Sequence, residues 1–191
     1  MTLILVILGV LVVAALVTPG LIYLATFNRL IALDQRCDTA FADIDAHLKH
    51  RANLIPGLVE TVRGFASHEQ EILGSVIRAR SEAMQAATPE IRMEAEKNIT
   101  QQINALIGMA ERYPDLKASS HFSELRAELI GAENRITASR RYYNLAIGEY
   151  DATLRQFPGN IVARVRRMSR RLPFDLGFER VLIDEPLAFK F

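Results

Sequence analysis

From Thr2 to Asn28 the chain carries no charged side chain, and the stretch LILVILGVLVVAALVTPGLIYLATF is almost wholly apolar. About 20 helical residues cross the hydrocarbon core of a bilayer, so this run is long enough for one pass with some tilt. A cleaved signal peptide carries a basic leading region and a shorter apolar core. Here only Thr2 precedes the run, which reads as a retained anchor. The plainer alternative, a buried core helix, would be unusually long and uniformly apolar. Thr18-Pro19-Gly20 is expected to kink this helix or mark its interfacial end. The rest of the sequence offers no second span.

Beyond Asn28 the pattern is helical almost throughout. Leu30, Cys37, Ile44, Leu58 and Phe65 lie on one seven-residue comb, and Phe41, Leu48, Ile55 and Val62 lie on another. Together they give the alternating three–four spacing of a coiled-coil-like seam. Arg51 occupies the first comb, a charge where an apolar residue is expected. Pro56-Gly57 interrupts the run, and proline removes the bond to the carbonyl four residues back, so a kink is expected near residues 52–56. Ser67-His68-Glu69-Gln70 reads as a capping box that starts a second helix, ending near Ala87. Thr88-Pro89 reads as an N-cap followed by proline at the first helical position. The continuation carries Ala95, Ile99, Ile103, Leu106, Ala110 and Tyr113 at helical spacing until Tyr113-Pro114-Asp115 stops it.

The last long helix begins near Ser120. Phe122, Leu129, Ile136, Tyr143, Tyr150 and Phe157 recur every seven residues, and Phe157-Pro158-Gly159 ends the run. Its length is about 57 Å at 1.5 Å per residue, close to the roughly 58 Å of the segment from Asn28 to Ala66. Matched lengths and short connections predict antiparallel packing. The fold expected is all-α: an N-terminal transmembrane helix (1–27), an antiparallel bundle of three to four helices (28–160), and an arginine-rich short helix with an extended tail (161–191). If the first helix leaves the membrane, the broken second segment returns and the last helix leaves again, residue 158 ends about 57 Å from the bilayer.

Composition narrows the function classes. The formal net charge is +1, so total charge does not call for nucleic acid. The single cysteine, Cys37, excludes an intramolecular disulfide and is expected to be a small apolar helix residue. After the span come Arg29, Asp34, Arg36 and Asp38. Lysine and arginine bias topology toward the cytoplasmic side, while acids count for little. The expected placement is the inner (cytoplasmic) membrane, with the body in the cytoplasm.

Three long blocks then place the chain beside a known group: IDAHLKHRANLIPGLVETVRGFASHE, ERYPDLKAS followed by Phe122, and ENRITASRRYYNLAIGEYDATLRQFP. With these the chain resembles the LemA family of bacterial membrane-anchored proteins. The resemblance implies an N-terminal membrane helix and a long helical bundle. It brings no catalytic residues, and the family it points to has links to membrane proteins, surface stress and, in magnetosome relatives, membrane biogenesis. Phe41 stands where the family commonly has tryptophan. The arginine-rich segment and tail are less typical and are expected to hold this chain's own specificity.

Three clusters are candidates for chemistry. His47 and His50 are three apart on one helix face, a spacing that can hold metal, and His68-Glu69 evokes the start of a zinc-protease helix. That motif needs a second histidine at position 72, where Ile72 stands. The plainer reading is hydrogen-bonding histidines near a helix boundary. Arg51, a charge in an apolar seam, must be paired. Glu133, Arg140 and Asn144 on the last helix are its candidate partners, in a buried polar network that fixes helix register or, on the functional reading, a binding groove. Arg164, Arg166, Arg167, Arg170 and Arg171 share a segment with Ile161, Val162, Val165, Met168 and Leu172, which can form one apolar face. This suits contact with anionic lipid or a partner, or a plain solvated surface. Nucleic acid is disfavoured because no aromatic residues interleave. The acceptor pattern at Asn98 falls inside a helix and is incidental.

The reading is therefore a non-enzymatic, single-pass scaffold or adaptor that organises membrane proteins or membrane assembly, with no cofactor. Its expected partners are the bilayer, other membrane proteins such as a membrane protease, and a second copy of itself. The alternative is a membrane-tethered metal-dependent hydrolase using His47, His50 and Glu69.

Overall fold

The computed structural model describes residues 2–86 and 89–174. Six helices account for most of it: α1 (Thr2–Phe65), α2 (Gln70–Gln85), α3 (Pro89–Ala110), α4 (Pro114–Lys117), α5 (Ser120–Arg155) and α6 (Gly159–Arg166). There is no strand among the described residues. The expected helix end at Ala87, the N-cap at Thr88 and the tail beyond Phe174 lie outside the described residues.

The first helix is longer than the sequence pattern implied. It runs unbroken through Pro19 and Pro56, so the apolar segment and the first helix of the body are one element. At Pro56 the reason is visible. Proline cannot donate to the carbonyl of Ala52, and the Arg80 guanidinium of α2 donates to that carbonyl instead, its Nε at 2.7 Å. The orphaned acceptor is satisfied from a neighbouring helix, so the turn need not open.

The described chain divides into two compact units. One is built on Asp43–Arg140 and takes Phe174. Its core is a single cluster: Ile55, Leu58, Val59 and Val62 of α1, Leu73 and Val76 of α2, Ile99, Ile103 and Leu106 of α3, Leu116 of α4, and Phe122 and Leu129 of α5. Here α2 and α3 form an antiparallel pair, Ser75 donating to Gln102 at 2.8 Å and Asn98 to Glu82 at 3.3 Å. They are two separate passes, not the one broken segment the sequence implied.

The capping box expected at Ser67 is not formed. The N-cap of α2 is Glu69, with no side-chain capping bond. Its carboxylate instead accepts from Tyr113 Oη at 3.0 Å and Arg112 at 3.2 Å. The turn is closed by backbone alone, with the amide of Glu69 on the carbonyl of Ala66 at 3.1 Å. A hydroxyl cap does occur before α5, where Ser119 Oγ accepts from the amide of Phe122 at 3.4 Å.

The other unit holds Met1–Ala42 with Arg141–Pro173. Leu30, Leu33, Cys37 and Ala40 of α1 are buried there, as are Tyr143, Ala146, Ile147, Tyr150 and Leu154 of α5 and Val162 and Ala163 of α6. The helices run antiparallel: Phe41 meets Tyr143 with ring centroids 5.6 Å apart, and Arg36 meets Glu149 at 2.9 Å. As numbers rise along α5 they fall along its partner, so α5 delivers the chain toward the apolar end of α1. Gly159 makes the turn into α6 possible, since a Cβ there would lie 2.0 Å from the carbonyl oxygen of Thr153. The guanidinium of Arg166 then sits 4.7 Å from the Phe27 ring centroid and donates to Tyr23 Oη at 3.2 Å. The expectation that residue 158 ends about 57 Å from the anchor's bilayer is thus corrected. The end of α5 and α6 lie beside Tyr23 and Phe27 of α1.

Candidate functional site: buried arginine–carboxylate clusters

In the unit built on Asp43–Arg140, the comb of α1 carries Arg51 into the core, where it is 1% exposed. It is held because α3 and α5 supply acceptors. One guanidinium NH2 group donates to Thr100 Oγ1 at 2.7 Å and to Glu133 at 2.5 Å, and the other donates to the Glu96 carboxylate. Thr100 also binds the carbonyl of Glu96 at 3.0 Å, tying the acceptor side of the cluster to its own helix. Burial pushes the Glu96 carboxyl above its ordinary range, and the Arg51 charge and hydrogen bond pull against that. Beside the cluster lies a half-open cavity of about 210 Å³, lined by Arg51, Thr100, Asn104 and Glu133 among apolar neighbours that include Ile103 and Leu129. A neutral floor of paired charges with mainly apolar walls suits register and packing better than bond-making chemistry.

In the other unit a second set of pairs closes the chain on itself. Arg167 ends α6 in the left-handed conformation, φ 54°, and residues 168–173 run back along α5. Tyr150 Oη donates to the carbonyl of Ser169 and Tyr143 Oη to that of Leu172, both at 3.3 Å. Arg170 meets Asp151 at 2.7 Å, and Arg171 spans Asp34 at 2.7 Å and Asp38 at 2.6 Å. Burial works against the charged Arg171, but its bonds to Asp38 and then Asp34 hold its proton more tightly than usual. Cys37 is buried close to Arg171, Asp34 and Asp38. Its thiol is pushed up, by burial first, with Arg171 pulling the other way.

The sequence-derived candidates are therefore dispersed. Arg51 and Glu133 meet. Arg140 lies close enough to act on the Glu96 carboxyl and stacks on Phe174 at 4.7 Å, while Asn144 belongs to the other unit. Arg164 and Arg166 lie on α6, Arg167 caps it, and Arg170 and Arg171 belong to the strap, not to one amphipathic helix. The histidine alternative is not assembled. His47 and His50 precede the end of α1, with Phe65 roughly 22 Å of helix beyond His50, and Glu69 is engaged by Arg112 and Tyr113. Among the described residues no group of three or more His, Cys, Asp or Glu could hold a metal ion. Glu96 and Thr100 were missed as partners of Arg51. Their signal was the stripe Glu96, Ile99, Ile103, Leu106, Ala110 on α3, read from its apolar members alone.

Fold and clusters together define an all-α protein whose long apolar helix continues into a body pinned by internal arginine–carboxylate pairs. The chain belongs to the LemA family, whose model matches residues 40–183. It is similar to Protein LemA of Metamycoplasma hominis, 26% identical over 144 residues, which make up 75% of this chain. The aligned part spans 66% of that relative's length.

Proposed function

We propose that the protein is a single-pass, membrane-anchored helical scaffold or adaptor, without catalysis of its own, that organises other membrane proteins or membrane assemblies. The observation that carries this reading is the continuity of α1. One helix holds a long apolar stretch whose described side chains are not buried, and then supplies core residues without a linker. A segment so apolar and so uncovered needs a non-aqueous surrounding. The clusters support a structural role, because their charges are spent on one another. Arg29 and Arg36, which follow the apolar run, favour a body on the cytoplasmic side of the inner membrane. Long outward helix faces, with Ile130 and Leu145 exposed, offer lateral surfaces to partner proteins or a second copy.

The test keeps the full chain in its membrane. Alkaline extraction should leave it in the pellet. Photo-crosslinkers at Ile130 and Leu145, read by mass spectrometry, should give a short, repeatable set of membrane proteins. Self-crosslinks alone would move the reading to a self-assembling scaffold. Extraction into the soluble fraction, or no crosslink above background, would overturn it.

A further inference from the structure

We propose that α6 and the turn before it form a collar that binds anionic lipid headgroups of the same bilayer that α1 crosses. The proposal rests on the anchor reading and adds a lipid class and a set of residues. The uncharged run from Thr2 to Asn28 is about 40 Å long as a helix, and a bilayer with its headgroups is about 40–45 Å thick. Tyr23 and Phe27 stand at the charged end of this run, at headgroup level, where tyrosine is favoured. Arg166 grips both, donating to Tyr23 Oη at 3.2 Å and lying 4.7 Å from the Phe27 ring centroid. That contact holds α6 beside the charged end of the run.

What α6 presents there fits an interface. Val162 and Ala163 face the body and are buried. On the opposite side stand Ile161, 52% exposed, and Val165, 63% exposed, one turn apart, with Phe157, 78% exposed, in the turn before them. Arg164 and Arg167 are exposed beside them, and Arg29 is exposed at the end of the apolar run of α1. No ion pair engages these three among the described residues, whereas Arg170 and Arg171 are spent on Asp151, Asp34 and Asp38. Exposed apolar side chains interleaved with arginines that have no ion-pair partner among the described residues, at the end of an apolar helix, suit acyl chains below and phosphates above.

The chain has no tryptophan, so Val165→Trp makes a single-tryptophan reporter, and Phe157→Trp is a second in the turn. Each full-length variant is reconstituted into vesicles of phosphatidylcholine with phosphatidylglycerol, or phosphatidylcholine alone, containing lipid brominated near the headgroup. The expected result is blue-shifted emission that loses most of its intensity in anionic vesicles. Much less should be lost in phosphatidylcholine alone, after Arg164→Gln with Arg167→Gln, or at about 1 M salt, where the screening length is about 3 Å. Leu145→Trp, exposed on α5 about 18 Å farther along the antiparallel register, should stay unquenched. No quenching at either reporter, equal quenching in both lipid mixtures, or equal quenching at position 145 would overturn the collar while leaving the anchor intact. Chain that does not float with the vesicles would overturn the anchor, and the collar with it.

Discussion

Replacing Arg51 with methionine keeps the apolar stem and removes the charge, leaving Glu96 buried at 5% exposure without its main partner. The cost has a ceiling, because a stranded carboxylate can always take up a proton. Bringing a carboxyl from its ordinary pKa of about 4.3 to the neutral form at pH 7 costs about 3.7 kcal/mol, at 1.36 kcal/mol per unit. That agrees with the roughly 3–5 kcal/mol expected on breaking a buried pair. Glu133 adds little, since its side chain is 38% exposed and water screens it. At pH 5 the same ceiling falls to about 1 kcal/mol. For a chain of this size 1 kcal/mol moves the midpoint by about 2–4 °C, so Arg51→Met should lower Tm by no more than roughly 7–15 °C at pH 7 and no more than about 2–4 °C at pH 5. Thermal unfolding of the full chain in mild detergent, followed by helical circular dichroism, reads this directly. Adding Glu96→Leu should restore most of the loss at pH 7, because an apolar replacement of a buried pair is often neutral or better. A loss equal at the two pH values, or a double variant no more stable than Arg51→Met, would mean that the stranded Glu96 carboxylate is not the source of the loss.

Arg80→Met should cost about 1–3 kcal/mol by orphaning the Ala52 carbonyl. Pro56→Ala should rescue most of that by restoring a backbone donor, and failure of the rescue in urea unfolding would count against this account of the unbroken helix. Gly159→Ala should destabilise by about 1–3 kcal/mol or more, with loss of the Arg166–Tyr23 contact in spectra of Tyr23, because its Cβ would meet Thr153. In the parent chain the raised Glu96 carboxyl means that the folded state binds this proton more readily than the unfolded state does. Its contribution to stability is full below about pH 4.3 and is lost as pH rises through the raised pKa. Glu96→Gln should flatten that stretch of the stability–pH profile. Cys37, buried with its thiol pushed up, should resist an aromatic disulfide reagent at pH 8 and react on unfolding; fast reaction of native protein would contradict that burial.

Periodicity made the helices legible because each buries one stripe and exposes the rest. The comb from Phe122 to Tyr150 is the buried stripe of α5, with Phe122, Leu129, Ile136, Tyr143 and Tyr150 all inside. Arg51 was legible as a charge needing a partner, since isolated burial is expensive. What was hidden depended on groups far apart in the chain. Pro56 predicts an interruption of the helix until Arg80 is placed against Ala52, where α1 continues as one element. Ser67 and Gln70 have the right spacing for a capping box, but Glu69 is claimed by Tyr113 and Arg112 from another helix end. The arginine segment looked like one amphipathic helix because local spacing cannot see Asp34, Asp38 and Asp151, which draw Arg170 and Arg171 into a strap.

The division of labour among those arginines bears on how the proposed anchor would act. Arg171 ties residues far apart in sequence, Asp34 and Asp38 near the apolar run and the strap after α6, while Arg166 ties α6 to Tyr23 and Phe27 one turn apart on α1. Residues 23–38 of α1 are therefore gripped along several turns by the chain's later segments, all within one compact unit. A body joined to its span by a flexible linker could swivel and sample partners in all orientations. A helix gripped in this way presents the same face of that unit to the membrane plane at all times. For a scaffold that geometry matters more than affinity at any single contact, because fixed orientation converts weak lateral contacts into effective local concentration. Three glycines with a serine inserted after Phe27 would keep the anchor and the body while uncoupling them. On this argument crosslinks to membrane partners should then scatter or disappear while membrane retention is unchanged. Retention of the same crosslinks at the same strength would show that the anchor serves only as a tether.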